Sequence, residues 1–245
     1  MKFWDVYNLG FFHKAFFNKI ENGFSINNDK LTYIALALGG VALLSYLIGS
    51  LNFSILISRF YGKDVRDGGS GNAGATNMTR QFGKKAGIFT FIGDFLKAAL
   101  LTIVGIMIFG RLGGLIAGLF CIIGHAFPLY FRFKGGKGVA CVTAVVLLTS
   151  PISFFILALI YAIILFGFKM VSFASIMTVL IYPFIIAKIE YKALGPSFLV
   201  ALVISFLIVF LHRKNIVRIF NHEEPKISLG KKNKNKGNNN ENGKK

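Results

Sequence analysis

The fold is decided by residues 86–131, which read AGIFTFIGDFLKAALLTIVGIMIFGRLGGLIAGLFCIIGHAFPLYF. The Asp, Lys and Arg residues in this stretch are Asp94, Lys97 and Arg111. A helix needs about 20 mostly apolar residues to cross the roughly 30 Å hydrocarbon core of a bilayer, where every backbone hydrogen bond must close within the protein. The stretch is therefore long enough for two crossings, at about 86–109 and 112–131.

The same criterion finds five further apolar segments along the chain. The seven segments lie at about 32–58, 86–109, 112–131, 138–150, 152–168, 171–187 and 196–211. The fourth and fifth are short and meet at Ser150 and Pro151, so they form either two helices joined by a tight turn or one kinked helix. The sequence predicts an all-α integral membrane protein, a bundle of about seven transmembrane helices, several of them short, with its polar motifs in cytoplasmic loops.

Composition supports a membrane protein. The 245 residues are 54% hydrophobic and 15% aromatic, with a mean hydropathy of +0.63, which is too apolar for an ordinary soluble domain. The formal net charge of +18 lies mostly at the chain ends and in short connections, as expected when charge is excluded from hydrocarbon.

The distribution of charge decides whether the fourth and fifth segments count as two spans or one. With seven spans the basic loops at 59–85 and 132–137, Lys169 and the basic tail all share one face, which the positive-inside rule makes cytoplasmic. One kinked helix would place the tail, with ten Lys or Arg against three Asp or Glu in 211–245, on the opposite face. We therefore expect seven spans, a cytoplasmic tail and an N-terminus outside.

The chain divides into three parts. Residues 1–30 form an N-terminal extension, which is either an interfacial amphipathic helix or a loosely ordered segment. They lack a compact apolar run before a cleavage site, so we expect no signal peptide. Residues 31–227 form the membrane domain, and the Lys/Asn-rich tail at 228–245 is predicted to be disordered and attracted to anionic lipid. Cys121 and Cys141 lack metal-ligand spacing and are predicted to be core residues.

The first of three polar clusters is a glycine-rich segment, DGGSGNAGATNMTR, at residues 67–80. Its exposed backbone N–H groups and polar side chains suit the cradling of phosphate oxygens. The alternative is a flexible linker, which would not need two Asn and an Arg between closely spaced membrane helices. It is not a Walker A loop, because no Gly-Lys-Ser/Thr ends it. The candidate phosphate-binding residues here are Gly69, Ser70, Gly71, Asn72, Asn77 and Arg80.

The second cluster places glycines between two lysines just before the fourth apolar segment. A helix N-terminus with adjacent Lys is a natural anion site, and an ordinary positive-inside turn is the alternative. The candidate binding residues are Lys134, Gly135, Gly136, Lys137 and Gly138.

The third cluster follows the last apolar segment. If that helix continues, one face carries His212, Asn215 and either Arg218 or Ile219. Glu224 lies beyond them, where it could pair with a loop Arg or Lys. For Arg213 and Lys214 the alternative is a basic helix end that snorkels to the membrane surface. Within the hydrocarbon, Asp94 and Lys97 are also three residues apart and form either part of the site or a structural ion pair. His125 either lines the site or is a hydrogen-bonded core histidine.

These clusters resemble the PlsY family of bacterial acyl-phosphate:glycerol-3-phosphate acyltransferases over about residues 40–227. The resemblance rests on Gly49-Ser50 and on three ordered motifs, GSGNAGATNMTR at 69–80, KGGKGVA at 134–140, and HRKNIVR with EPKI at 212–227. The chain departs from the family pattern at Ala98, Cys141 and Asn221-His222. By resemblance, the residues for catalysis and glycerol 3-phosphate binding are Ser70, Asn72, Arg80, Lys137, His212, Asn215 and Glu224.

The resemblance implies transfer of a fatty acyl group from acyl phosphate to the 1-hydroxyl of glycerol 3-phosphate. The products are 1-acyl-glycerol 3-phosphate and phosphate, the first step of phospholipid synthesis, with no metal and no cofactor. We assign catalysis to Ser70, His212, Asn215 and Glu224. The implied partners are the two substrates and the lipids of a bacterial plasma membrane, without nucleic acid or an obligatory protein partner.

Two other functional classes compete with this interpretation. A transporter of a phosphorylated metabolite would also carry polar clusters at helix ends, but the sequence has no evident inverted repeat. A lipid-binding scaffold would tolerate substitutions in the glycine-rich loop. The general base also stays open, since either His212 or a substrate phosphate oxygen could take the proton.

Overall fold

The computed structural model describes residues 28–190 and 195–227, and within these ranges all regular secondary structure is helical. Of the predicted extension at 1–30, residues 1–27 lie outside the described residues, as does the tail at 228–245. The α-helices are α1 Asn28–Gly49, α2 Phe53–Phe60, α3 Ala75–Ala126, α4 Val139–Thr149, α5 Pro151–Phe168, α6 Val171–Glu190, α7 Pro196–Leu211 and α8 Arg213–Phe220. Short 3-10 turns occupy Val65–Asp67 and Leu129–Phe131.

The predicted all-helical membrane architecture is confirmed. Four stretches of the described chain are long and apolar enough to cross a membrane: Ile34–Phe60, Ala75–Phe131, Pro151–Phe168 and Val171–Ile189. Helices α7 and α8, bent by 58° at their junction, meet the same test together, and α4 is a shorter apolar helix. All seven predicted apolar segments are thus helical.

Most of the apolar stretch at 86–131 lies within α3, which folds back on itself as a helical hairpin. Phe109 and Gly110 leave helical geometry, and Gly110 has a φ of 63°, a conformation that glycine adopts at little cost. A Cβ added to Gly105 would clash with the Gly113 carbonyl, although eight residues of continuous helix would separate them by about 12 Å. The arms at 84–108 and 111–126 therefore pack side by side, and their spacing matches the two predicted crossings.

The first apolar segment is not one uninterrupted helix, which the sequence did not predict. The Asn52 side chain accepts hydrogen bonds from the backbone N–H groups of Ser54 at 3.1 Å and Ile55 at 3.3 Å. This N-cap starts α2 as a new helix after α1 ends at Gly49, because a capping amide satisfies the first free N–H groups of a helix. Hydropathy could not locate the break, since apolar residues continue on both sides.

Helices α4 and α5 are two helices rather than one kinked helix. Ser150 between them has extended φ and non-helical ψ, and Pro151 occupies the first turn of α5. The Ser150 and Ser153 hydroxyls lie 2.6 Å apart in the turn. Val146 on α4 and Leu157 on α5 pack in one buried cluster, so α5 runs back along α4.

The main core lies where α3, α4, α6 and α7 meet. Cys121 and Cys141 are fully buried within it and are free thiols, which confirms their predicted place in the core. Gly49 on α1 lies against the Cys121 backbone, where no Cβ would fit. Small residues at such crossings allow membrane helices to approach closely, and many large apolar side chains remain exposed on the outer surface, as expected for contact with lipid.

Candidate active site

The three polar clusters converge on one cavity of about 200 Å³. It lies between the glycine-rich loop before α3, the loop before α4, and the α7–α8 junction. The predicted site residues that line it are Ser70, Asn72, Asn77, Arg80, Asp94, His125, Lys137, Gly138, His212, Asn215 and Glu224. The predicted residues that do not line it are Gly69, Gly71, Lys97, Lys134, Gly135 and Gly136.

Asn77 organises the glycine-rich loop. Its buried amide donates to the carbonyls of Val65 at 2.9 Å, Gly68 at 3.1 Å and Asn72 at 3.1 Å. Its Oδ1 accepts from the Ser70 backbone N–H at 3.1 Å. Asn77 therefore holds the loop in shape and positions Ser70 at the cavity, although the sequence offered Asn77 only as a phosphate ligand.

Arg80 supplies positive charge to the cavity. It lies on the first turns of α3, exposed and lining the cavity. Its guanidinium makes no hydrogen bond or ion pair with any of residues 28–190 and 195–227. A guanidinium presents several donors that match phosphate oxygens, so Arg80 is available for an anionic ligand.

The glycines of the second cluster fix the path of the loop. The Gly135 N–H donates to the Ala126 carbonyl and the Gly136 N–H donates to the His125 carbonyl, both at 3.1 Å. A Cβ on Gly136 would clash with the His125 ring. Gly138 has a φ of 76° and precedes α4. These glycines lay the loop against the end of α3, and Lys137 extends from it into the cavity.

Lys137 is linked to the third cluster. Its ammonium donates to the Asn215 side-chain oxygen. Burial is the main cause that lowers the pKa of Lys137 to about 8; the charge of Glu224 opposes this shift, and the charges of Arg218 and Arg80 add to it. Lys137 is thus mostly a cation at neutral pH, and an anion bound beside it would favour its charged form.

The helix bends at His212, so the continuous helix on which the predicted shared face depended is not formed. The α7–α8 angle is 58°, yet His212 and Asn215 both line the cavity. The His212 Nδ1 lies 2.8 Å from the Ile208 carbonyl oxygen, and a carbonyl can only accept, so Nδ1 carries the proton. Nε2 is therefore left with a free lone pair.

The environment of His212 keeps its imidazole neutral. Burial, with the nearby charge of Lys137, lowers the pKa of His212 to about 4. At neutral pH the ring is uncharged and is competent to accept a proton at Nε2.

Glu224 anchors the segment after α8. Its carboxylate accepts from the Ser172 hydroxyl at 2.7 Å, the Asn215 amide at 2.8 Å and Arg218 Nε at 2.8 Å. Burial opposes ionisation, but these hydrogen bonds outweigh it and hold the pKa of Glu224 below its usual value. Glu224 lines the cavity and is also linked to Lys137 through Asn215, and its catalytic role stays a prediction.

A buried ionic cluster lies behind the cavity. Lys97 Nζ is 2.8 Å from Asp94 Oδ1 and donates to the carbonyls of Gly49 at 3.0 Å and Leu51 at 2.6 Å. His125 Nδ1 lies 3.1 Å from the same ammonium. The structure thus pairs Asp94 with Lys97 and ties α3 to the end of α1. Among the described residues, no group of three or more His, Cys, Asp or Glu is arranged to hold a metal ion.

An apolar groove of about 280 Å³ adjoins this cavity. The residues that join the two spaces were not predicted from the sequence. Both spaces are lined by Phe91, Val139, Tyr161 and Ser175. Ser172 and Ser175 at the start of α6 were also missed. Their only signal is a pair of hydroxyls three residues apart in an otherwise apolar segment, which is common in membrane helices.

Comparisons with known proteins agree on one enzyme family. Residues 40–222 match the family model described as glycerol-3-phosphate acyltransferase. The glycerol-3-phosphate acyltransferase of Exiguobacterium sibiricum is 39% identical over 199 residues, covering 80% of this chain and 96% of that protein. The Bacillus cytotoxicus protein of the same name is 38% identical over 207 residues, covering 83% of this chain and 99% of the relative.

Solved structures give the same result. The crystal structure of PlsY, described as an integral membrane glycerol 3-phosphate acyltransferase in its glycerol 3-phosphate form, superposes with a TM-score of 0.74 at 34% identity. It covers 78% of this chain and 96% of that chain. The lysophosphatidic acid form superposes with a TM-score of 0.71.

Proposed function

Because the chain belongs to the glycerol-3-phosphate acyltransferase family, we propose that it takes its acyl group from a fatty acyl phosphate and transfers it to the 1-hydroxyl of glycerol 3-phosphate. The products are 1-acyl-glycerol 3-phosphate and inorganic phosphate. The observation that carries the proposal is the junction of a basic cavity and an apolar groove through shared lining residues. An amphiphilic donor with an anionic head and an alkyl chain fits this pair of spaces.

The anionic heads bind in the basic cavity. Arg80 and Lys137 hold the phosphate of glycerol 3-phosphate, since one guanidinium and one ammonium face the same space. The Ser70 and Asn72 groups bind polar oxygens of the substrates. The donor lays its chain along the groove, and its mixed-anhydride carbonyl comes to the junction beside Val139.

The reaction is a direct transfer. The 1-hydroxyl oxygen attacks the acyl carbonyl, a new C–O ester bond forms, and the C–O bond to phosphate breaks. His212 Nε2 accepts the hydroxyl proton, which then passes to the departing phosphate. Because phosphate is a good leaving group, orientation and charge stabilisation supply most of the rate. Ser70 binds substrate in this scheme and forms no acyl-enzyme.

The site faces the cytoplasm of a bacterial plasma membrane. The loops and helix ends that carry Arg59, Arg66, Arg80, Lys134 and Lys169 are rich in Lys and Arg, and such segments stay inside. Glycerol 3-phosphate is a polar anion that approaches from water, so the open cavity and the basic loops belong on the same side.

The test is acyl transfer by the purified protein in detergent. Labelled acyl phosphate and acyl-CoA are offered in parallel with glycerol 3-phosphate, and ester product is measured. We expect product from acyl phosphate alone. Product from acyl-CoA alone would refute the proposed donor, and no product from folded protein with either donor would refute the proposed reaction.

Matched variants locate the chemistry. We expect Arg80→Ala to raise the KM for glycerol 3-phosphate at least tenfold, whereas Arg213→Ala, exposed outside the cavity, leaves it unchanged. We expect His212→Ala to lower kcat by about 10²- to 10⁴-fold, the usual contribution of general-base catalysis. His222→Ala, at an exposed position, is its control. Equal effects within either pair would contradict the assigned roles.

A further inference from the structure

Three of the helices that line the apolar groove, α4, α5 and α6, follow it over the same depth. At the mouth of the groove lie Val139 on α4, Tyr161 on α5 and Ser175 on α6. At its far end lie Val146, Phe154 and Tyr182 on the same three helices. Each pair is seven residues apart in the sequence. Seven residues of α-helix rise about 10 Å, which is therefore the depth of the groove below the reactive cavity.

The far end of the groove is closed. Val146 and Tyr182 are buried there in a cluster that continues with Ile186 and Ala201, and neither of these last two is exposed. The tight turn between α4 and α5, in which the Ser150 and Ser153 hydroxyls touch, follows Val146 by one helical turn. An alkyl chain that enters at Val139 is therefore stopped by the buried side chains at the far end, which we call the floor of the groove.

The groove has a side opening at Ala158 on α5. Ala158 lies midway along α5 between mouth and floor, lines the groove and is exposed on the outer surface. Its methyl group is small beside the Val, Leu, Phe and Tyr side chains of the other walls. The groove is thus blind at its end and open at its side, toward the lipid.

We propose that this groove measures the acyl chain of the donor, with Val146 as its floor and Ala158 as its side exit. The inference rests on the function proposed above. An extended alkyl chain advances about 1.3 Å per carbon, given C–C bonds of about 1.5 Å, so a depth of about 10 Å takes about eight carbons. A longer chain must turn out past Ala158 into the bilayer.

Selection in this groove is steric. Lipid tails are as apolar as the groove walls, so moving a methylene from bilayer to groove gains little. What distinguishes donors is whether the chain fits between floor and exit, because packed helices tolerate added volume poorly. Val146 and Ala158 are specificity-determining residues that never touch the reacting atoms.

The first test closes the exit. Ala158→Phe adds volume on an exposed surface, so the core is left intact, and Ala37→Phe on the exposed face of α1 is its control. Kinetics are measured with butanoyl phosphate and palmitoyl phosphate. We expect the palmitoyl-to-butanoyl ratio of kcat/KM to fall at least tenfold in Ala158→Phe and to stay unchanged in Ala37→Phe.

The second test raises the floor. Val146→Phe shortens the groove, and Val203→Phe places the same change on the exposed face of α7. We expect the octanoyl-to-butanoyl ratio to fall at least fivefold in Val146→Phe alone. The proposal would be overturned if Ala158→Phe kept the wild-type palmitoyl-to-butanoyl ratio of kcat/KM. It would also be overturned if a variant lost the same factor of kcat/KM with every donor.

The two proposals fail differently. If wild-type protein transfers every acyl phosphate and the variants leave the chain-length ratios unchanged, the acyltransferase stands and the measuring groove is wrong. If wild-type protein transfers none of them, the reaction itself is wrong and the groove has no such role.

Discussion

The Lys137 ammonium donates a hydrogen bond to the Asn215 side-chain oxygen across 78 residues of sequence. This bond joins the loop before α4 to α8, and Asn215 passes the link on to Glu224 at 2.8 Å. Two of the three polar clusters are therefore one hydrogen-bonded unit, and its charge state depends on a lysine with a pKa of about 8.

The pH dependence of substrate capture follows from Lys137. Its ammonium is charged below about pH 8 and loses its proton as the pH rises through that value. We expect kcat/KM, which reports the free enzyme, to fall between about pH 7 and pH 9. Lys137→Arg replaces the group with one whose pKa exceeds about 12, so the fall should vanish. The measurement is kcat/KM of the wild-type protein and of Lys137→Arg across that pH range. An identical fall in both proteins would exclude Lys137 as its cause.

Glu224 should act through its neighbours. Glu224→Gln weakens the charge-assisted hydrogen bonds from Arg218 and Asn215, which are worth about 1.5–3 kcal/mol each. We expect kcat/KM to fall roughly 10- to 100-fold. The adjacent Glu223 is exposed, so Glu223→Gln is a matched control with wild-type kinetics. Comparable losses in the two variants would show that the effect is one of net charge.

The contact between Gly136 and His125 leaves no room for a side chain. Gly136→Ala would drive a methyl group into the His125 ring and the Ala73 carbonyl, which displaces the loop that carries Lys137. We expect at least a tenfold loss of kcat/KM. Gly167 on α5 has nothing within 4 Å of an added Cβ, so Gly167→Ala should keep full activity. Wild-type kinetics in Gly136→Ala would contradict the packing role.

The buried pair Asp94 and Lys97 should stabilise the fold as a unit. Removing one partner leaves an uncompensated buried charge, which costs about 3–5 kcal/mol. We expect Asp94→Asn and Lys97→Met each to lower the free energy of unfolding by that amount. The double variant should lose less than the sum, because the two residues are in contact. Thermal unfolding in detergent measures this, and strict additivity would refute the coupling.

The sequence predicted the helices well because apolar length is a direct physical requirement of a bilayer. The hairpin at Gly110 falls between two segments that apolar length had already separated. The turn at Ser150 falls between two short segments that the positive-inside rule had separated. The break at Asn52 was missed for the opposite reason. A single capping amide starts α2 there while the surrounding residues stay apolar, so no change in hydropathy marks the position.

The site was predicted in its components and not in its geometry. Polar side chains in an apolar chain are conspicuous, so Arg80, Lys137, His212 and Asn215 were found from composition and motif. Their connections depend on contacts between residues far apart in sequence. The bond from Ser172 to Glu224 spans 52 residues, and nothing local distinguishes that serine from others in α6. The roles assigned to the site residues remain predictions for the variants above.

The short α4 helix sets the depth at which the chemistry takes place. Its 11 residues rise about 16 Å, roughly half of the hydrocarbon core. Val139 at its start lines the groove with Tyr161, seven residues before α5 ends at Phe168. Lys137 and the reactive cavity are thus set about 10 Å inward from the end of α5. In the reaction proposed above, a mixed anhydride held at that level meets the glycerol hydroxyl away from the membrane surface, which limits competing hydrolysis.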